Sequence, residues 1–251
     1  MYNKCIYDTI TKTVVKRVSR RRNRGRFLTA QARQEGRYKK DLILYLSNQE
    51  RRVMSILGAS KGIKTDDPTI KLQGIWVEET NLLIETSIPH MESSLKAGSK
   101  LAAQEVSGNI MYDHEIADAL FARQNRIVKV SNRLYNQIKM EIHAGMAEGE
   151  SLNQIAKRIQ TYYKTSDSDA LRIARTETSS AMSKATQETY KKNGIDKKVW
   201  LATGDDRTRD THMANQAQGP IPMDAAFGGT GEQHPGESEI NCRCSLAAHI
   251  E

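Results

Sequence analysis

The sequence predicts an α+β fold that is mostly α, in which a helical body carries a small antiparallel β element and a long loop at its C-terminal end. Three observations support this class. Apolar residues recur every three or four positions from Ile127 to Met146, which is typical of an amphipathic helix. At Lys197 the pattern changes to the short run KKVWLAT, whose β-branched and aromatic centre favours a strand. Residues 218–239 then hold five of the 16 glycines and three of the five prolines, which indicates a loop.

The N-terminal end of the 251-residue chain is strongly basic. Residues 1–40 hold 13 of the 38 lysines and arginines but only two of the 30 acidic residues. Because like charges repel each other, we expect this segment to be extended until an anionic surface neutralises it. Double-stranded DNA is one such surface, and an acidic protein patch or a merely solvated tail are the alternatives. The arginines expected to contact DNA are Arg20, Arg21, Arg22, Arg24 and Arg26.

A helical region is expected over residues 41–110. The composition favours a helix from Gln31 to Leu57, ending before Gly58. Asp67 then caps a second helix that has Pro68 at its first position. Its small residues allow close approach of a neighbouring helix. The stripe along it comprises Ile70, Trp76, Val77, Leu83, Ile84, Ile88, Met91, Leu95, Gly98, Ala102 and Val106.

Three more helices are predicted within residues 111–251, which we expect to form a separate domain. The long helix through Ile127 and Met146 ends before Gly149. Ser151 and Gln154 have the spacing of a capping box and start the next helix. The third begins near Ser168 and ends at Asn193-Gly194. It carries Arg175 and Glu177, which point in nearly opposite directions around a helix, so each either finds a partner elsewhere or faces water.

The C-terminal end combines a strand, a short helix, a loop and a second strand. Asp205, Asp206 and Thr208 are placed to cap the short helix, which carries Arg209 and His212. The 22-residue loop over 218–239 requires tethering or a function. The run INCRCSLAA alternates, so we expect Ile240, Cys242, Cys244 and Leu246 to share one face of a strand.

The two neighbouring thiols have two interpretations. In an extended strand their α-carbons lie about 6.6 Å apart, near the geometric limit for a disulfide. Cys242 and Cys244 are then either buried small hydrophobic residues or ligands of a structural Zn²⁺. His212 and His234 would supply the other two ligands. Asp206 or Glu239 are alternatives to His234, and a site that binds no metal stays open.

The order of four segments resembles the phage Mu F-like minor head proteins, the phage head morphogenesis family. The segments are GMAEGESLNQIAKRIQTYY, ALRIARTETSSAMSKATQETYKKNGI, KKVWLATGDDRTRDTHMANQAQGP and PGESEINCRCSL, within about residues 125–247. Many relatives have His-Pro directly before N-C-R-C, where this chain has Glu239-Ile240. The resemblance implies that the motif positions build the domain and do not perform chemistry. These positions are Arg175, Glu177, Asp206, Arg207, Arg209, His212, Asn241, Cys242, Arg243 and Cys244.

The resemblance also implies a location and partners. Family members are virion components associated with the portal and the capsid interior, so we expect a portal protein and a major capsid or scaffolding protein as partners. The expected location is the virion, with the host cytoplasm during assembly. We expect no membrane partner, because no stretch approaches the roughly 20 apolar residues of a membrane span. Nor do we expect the ADP-ribosyltransferase domain that some members carry.

The alternative from another functional class is a zinc-dependent hydrolase or nuclease. Asp205, Asp206, His212 and the two thiols could hold a zinc ion that activates water. Against this, the sequence lacks an H-E-x-x-H motif and a Gly-rich phosphate-binding loop beside a strand. We therefore expect no enzymatic activity.

Overall fold

The computed structural model describes residues 2–59, 67–164 and 166–250, with side chains from residue 24 onward except at 59 and 166. The described residues contain six helices and three short strands. They are α1 (Tyr2–Ala59), α2 (Pro68–Val106), α3 (Asp113–Ala147), α4 (Leu152–Tyr163), α5 (Ser166–Lys192), β1 (Lys197–Leu201), α6 (Asp210–Ala217), β2 (Ile221–Pro222) and β3 (Ser245–His249). The predicted α+β, mostly α class is confirmed. Within the described ranges, no helix has the length and apolar character that a membrane crossing requires.

The chain divides into two compact units, each assembled from separate segments. The first comprises Met1–Glu35, Glu92–Ile116 and Arg175–Glu251, and the second comprises Gly36–Met91 and Ala117–Ala174. The four long helices, α1, α2, α3 and α5, each contribute one part to each unit. The boundaries at residues 40 and 110 divide the chain by sequence pattern and stay predictions.

The expectation of an extended segment over residues 1–40 is wrong, because α1 runs through it. Its described part buries Phe27, Gln31 and Gln34, which lie at helical spacing. Two of these three are glutamines, so a search for apolar periodicity does not detect the buried face. The side chains of Arg20, Arg21 and Arg22 lie outside the described residues.

The second unit is built around the apolar faces that the sequence predicts. Ile127, Leu134, Ile138 and Ile142 of α3 are all at most 1% exposed. Met146, predicted to continue this face, is exposed. At the start of α4, Ser151 and Gln154 form the predicted capping box, in which each side chain bonds to the other residue's backbone.

The predicted stripe on α2 is wrong at two positions. Ile70 and Val77 are exposed, whereas Leu72, Trp76 and Leu83 are buried. The N-terminal signal is confirmed, because α2 begins at Pro68 and the Thr69 N–H donates to Asp67 Oδ1 at 2.8 Å. Apolar residues lie on both sides of this part of α2, so its sequence alone does not define one buried face.

The first unit contains a three-stranded antiparallel sheet in the order β2-β1-β3. Trp200 of β1 pairs with Leu246 of β3, and both belong to one apolar core with Cys242 and Cys244. The strand predicted over INCRCSLAA begins only at Ser245. Ahead of it, Asn241 adopts a left-handed turn conformation with φ 62°. Ile240 is exposed and so does not share the buried face expected for it.

Candidate metal centre

His212 is the third residue of α6 and lies in its first turn, and it is 2% exposed. Its ring meets the indole of Trp200 on β1 edge to face, with ring centroids 5.3 Å apart. Trp200 packs in the same way on Phe227 of the long loop, at 5.1 Å. Strand, helix and loop of the first unit therefore fix the position of the imidazole.

The turn before α6 is closed differently from the sequence prediction. The N-cap position is Arg209, which makes no side-chain capping hydrogen bond. Thr208 instead accepts the backbone N–H groups of Gly204 and Asp205 at 3.0 and 3.1 Å, and its hydroxyl donates to Asp205 Oδ1. The capping role predicted for Asp205, Asp206 and Thr208 is therefore wrong, because Asp205 and Thr208 stabilise the preceding turn and Asp206 is exposed on it.

Both thiols face the same nitrogen of His212. The sulfur of Cys244 lies 3.3 Å from His212 Nδ1, and that of Cys242 lies 3.9 Å from it. Both cysteines are 2% exposed, and all three potential ligand atoms lie within 4.8 Å of one another. Sulfur and imidazole nitrogen are the donors that tetrahedral zinc prefers, so the chemistry of this cluster fits a zinc ion.

The other nitrogen of His212 is bound to a carboxylate. His212 Nε2 lies 3.1 Å from Glu239 Oε2. The guanidinium of Arg209 lies 3.0 Å from the same carboxylate oxygen and donates to the backbone carbonyl of Ile240 at 3.1 Å. A histidine that binds metal through one nitrogen typically donates from the other to a carboxylate. Glu239, an alternative ligand on the sequence alone, is thus placed to orient the ring of His212.

The long loop is tethered, as its length requires. Glu232, which is 2% exposed, accepts the backbone N–H groups of Ser238 and Glu239, both at 2.7 Å, and the Ser238 hydroxyl at 3.0 Å. The amide oxygen of Asn215 on α6 accepts the Gly229 N–H at 2.8 Å. These bonds position Glu239 beside His212. No sequence signal marks Glu232, since a single glutamate in a loop is ordinary.

The predicted fourth ligands are not brought to the cluster. His234 is buried, but its Nδ1 lies 3.3 Å from the Pro235 carbonyl and the residue does not belong to the group of ligand atoms. Asp206 is exposed on the turn before α6. Among the described residues, the cluster therefore offers three ligands: His212, Cys242 and Cys244.

The arginines of the predicted motif surround this cluster. Arg175 lies 3.2 Å from a carboxylate oxygen of Glu35 and donates to Asn241 Oδ1 at 3.0 Å. Arg243 pairs with Asp205 at 2.7 Å. Of the other motif residues, Arg207 is exposed and Glu177 is 3% exposed. Glu35 stands 140 positions before Arg175, so no local pattern indicates their pairing.

Ionisation of the two thiols is linked. A hydrogen bond with Cys242 lowers the pKa of Cys244, the backbone N–H of Thr203 lowers it further, and burial opposes both. The same hydrogen bond and burial raise the pKa of Cys242. The hydrogen bond between the two sulfurs therefore shifts their pKa values in opposite directions. A bound cation would favour the thiolate form of both cysteines.

The side chain of Arg24 forms hydrogen bonds within the first unit. Its guanidinium donates to the backbone carbonyls of Ala202 and Thr203, the latter at 2.9 Å, just beyond the end of β1. Arg26 is exposed. Of the two described arginines expected to contact DNA, only Arg26 therefore has its side chain directed to solvent.

Comparison with known proteins identifies relatives of this region. Residues 136–247 match the family described as Phage Mu protein F like protein. The chain is 30% identical over 207 residues to the NAD(+)–arginine ADP-ribosyltransferase EFV of Enterococcus faecalis, covering 69% of this chain and 42% of the relative. It is 34% identical over 131 residues to the minor head protein GP7 of Bacillus phage SPP1, covering 47% and 42%. The chain thus spans about two fifths of these relatives. No solved structure matches it significantly.

Proposed function

We propose that the protein is a structural minor head protein of a tailed bacteriophage, because residues 136–247 match the family described as Phage Mu protein F like protein. It acts in head assembly and in DNA packaging or delivery. Its partners are the portal protein and the major capsid or scaffolding protein. It resides in the capsid interior near the portal, and in the host cytoplasm during assembly. The family match carries this proposal, and it encloses the whole His–Cys cluster.

The head function is tested by asking with what the protein assembles. The chain is produced together with the portal and capsid proteins of its phage, and portal rings and filled heads are purified separately. We expect the protein to co-purify with the rings, with the heads, or with both. Its absence from both fractions would contradict the proposal. A matched preparation with His212→Ala shows whether the intact metal centre is needed for incorporation.

We also propose that His212, Cys242 and Cys244 bind a structural zinc ion. Zinc would add coordinate bonds between α6 and the segment that leads into β3. Structural zinc sites contribute directly to folding energy. Arg175, Asn241, Arg209 and Glu239 hold the surrounding segments in place.

Elemental analysis of protein purified without chelators tests the zinc site. We expect about one zinc per chain, and a loss of zinc in His212→Ala, Cys242→Ser and Cys244→Ser. Fewer than about half an equivalent in the unaltered protein would contradict the site, because structural zinc binds tightly at neutral pH. Circular dichroism checks that each variant keeps its helices, so that loss of metal is distinguished from global unfolding.

We propose that the basic part of α1 contacts DNA through Arg20, Arg21, Arg22 and Arg26. Deletion of residues 1–40 is an unsuitable test, because it removes the buried Phe27 and Gln31. Substitution of the four arginines by glutamine retains helix-forming residues and removes four charges. We expect weaker retention of duplex DNA in low-salt gel shifts, and a salt slope reduced by about 0.9 for each phosphate that is no longer neutralised. The control replaces four exposed residues elsewhere, Lys100, Lys129, Arg133 and Lys157, and an equal reduction in that control would contradict the assignment.

We propose that the metal centre has no enzymatic role. The three candidate ligands are almost fully buried, and the surrounding hydrogen bonds join segments of one unit. The Enterococcus relative's name describes a longer protein, of which this chain spans 42%. Hydrolysis of duplex DNA or of a casein substrate is measured with zinc-loaded protein. Zinc-dependent turnover that disappears in His212→Ala would contradict the structural role.

A further inference from the structure

A pocket beside the metal ligands is lined by arginines. It has a volume of about 140 Å³. A single water molecule needs about 10–15 Å³, so the pocket has room for a larger ligand. Its walls include His212 and both cysteines, so it borders the candidate ligands. The guanidinium-bearing residues on its walls are Arg175, Arg207, Arg209 and Arg243. The motif arginines therefore share one cavity with the metal cluster.

The charges around this pocket do not cancel. Three of the arginines pair with carboxylates, namely Arg175 with Glu35, Arg209 with Glu239 and Arg243 with Asp205. In the part of the chain that the structure describes, the guanidinium of Arg207 makes no hydrogen bond or ion pair. A zinc ion would be balanced by the two cysteine thiolates. The pocket therefore keeps about one positive charge, on a side chain with five N–H donors.

The cluster also lacks a fourth protein ligand. Tetrahedral zinc requires four donors, and the described residues bring three of them together. A site with three protein ligands takes its fourth from water or from another small ligand. Since all three residues line the pocket, we expect the remaining coordination position to lie on the pocket side of the cluster.

We infer that this pocket binds a phosphate group, whose oxygen completes the coordination of the metal. This inference rests on the zinc site proposed above. Three of the four guanidiniums already pair with carboxylates, so the donors that remain for a ligand are chiefly those of Arg207. Phosphate presents more acceptor oxygens to such a guanidinium than a carboxylate does. Arginine is the residue best matched to phosphate geometry. Inorganic phosphate and the phosphodiester backbone of nucleic acid both present this group.

Cobalt spectroscopy tests the inference without requiring any activity. Co²⁺ replaces zinc, and its visible absorption depends on the number and type of its ligands. Inorganic phosphate is titrated into Co²⁺-saturated protein, and we expect a saturable change in the visible spectrum. Arg207→Ala should weaken phosphate binding about tenfold, because it removes a charge-assisted hydrogen-bond donor. Arg33→Ala, at an exposed position of the same unit outside the pocket, is the matched control and should bind phosphate as the unaltered protein does.

The outcomes separate the two proposals. Failure to bind Co²⁺ would refute the zinc site itself. Binding of Co²⁺ with a spectrum that neither phosphate nor DNA alters would overturn the phosphate inference alone. A short duplex oligonucleotide is titrated in parallel. A response to inorganic phosphate only identifies free phosphate as the ligand, and a response to the duplex identifies a backbone phosphate. A response of equal strength in Arg207→Ala would also overturn the inference.

Discussion

His212 faces Cys244 through one ring nitrogen and Glu239 through the other. Nδ1 lies 3.3 Å from the Cys244 sulfur, and Nε2 lies 3.1 Å from Glu239 Oε2. A carboxylate accepts hydrogen bonds only, so the proton of the neutral ring resides on Nε2. The lone pair of Nδ1 is then directed toward the two sulfurs. This tautomer is the one that a metal ion between these three groups requires.

Removal of the carboxylate should weaken metal binding. Glu239→Ala deprives His212 Nε2 of its acceptor, so we expect zinc affinity to fall about 10- to 100-fold. Competition with a chromophoric chelator measures the affinity. Asp206→Ala is the control, because Asp206 is acidic, close to His212 in sequence and exposed, and zinc affinity should not change in this variant. Equal affinities in Glu239→Ala and the unaltered protein would refute the orienting role of Glu239.

Elements with strong local signals could be predicted from the sequence. The buried face of α3, the capping box at Ser151 and the strand β1 depend on residues close to one another in the chain. The part of α1 before Gln31 could not be predicted, because its run of arginines favours an extended segment and its first half shows no sustained apolar period. The two-residue strand β2 carries no signal of its own, because Ile221 and Pro222 stand in a loop rich in glycine and proline. In each case the structure depends on packing with distant segments.

The candidate site divides in the same way. His212, Cys242 and Cys244 could be predicted because their side chains are rare in this chain and suited to metal. The thiols do face one partner, although they precede β3 and do not lie within a strand. The position of His234 away from the cluster could not be predicted, since local sequence does not determine the path of a 22-residue loop. The Glu35–Arg175 pair likewise joins residues 140 positions apart.

Close approach of α2 and α5 within the first unit predicts a penalty for a methyl group at Gly98. A Cβ there would lie 2.8 Å from the Met182 Cα, with the Met182 backbone carbonyl closer still. The Met182 backbone cannot move aside as the end of a flexible side chain could. We therefore expect Gly98→Ala to lower the free energy of unfolding by about 1–3 kcal/mol. Gly74→Ala on the same helix meets nothing within 4 Å and should instead stabilise by about 0.5–1 kcal/mol. Urea denaturation measures both, and stabilisation by Gly98→Ala would contradict the close approach.

The two described arginines of the basic segment should differ in their effect on stability. Arg24→Ala leaves the carbonyls of Ala202 and Thr203 without their donor, so we expect the free energy of unfolding to fall by about 1–3 kcal/mol. Arg26→Ala removes the same charge from an exposed position and should change stability by less than about 0.5 kcal/mol. Chemical denaturation of both variants in the same buffer provides the comparison. Equal effects would show that the Arg24 hydrogen bonds contribute nothing measurable.

Lys198 of β1 is a buried base whose effect on stability should depend on pH. Its side chain is fully buried, and Nζ, 5.5 Å from the Phe227 ring centroid, has no hydrogen-bond partner among the described residues. Burial lowers the pKa of Lys198 to about 8, and the charge of Lys191 contributes to the same shift. The unfolded chain binds this proton up to a pH of about 10.4, so it holds more protons than the folded chain between about 8 and 10.4. The stability contributed by this group therefore rises with pH across that window.

Replacing Lys198 by methionine should remove this dependence. At pH 7 the ammonium is protonated in both states and is buried in the folded one, so Lys198→Met should stabilise the protein by about 1–3 kcal/mol. The gain should shrink as the pH rises toward 10, because the buried amine of the unaltered protein is then neutral. Denaturation at pH 7, 8, 9 and 10 measures the trend. Lys197→Met, at the partly exposed neighbouring position, is the control and should show no such trend. A gain for Lys198→Met that is equal at pH 7 and pH 10 would mean that the amine is solvated in the folded protein, because only desolvation of its charged form makes the benefit vary with pH.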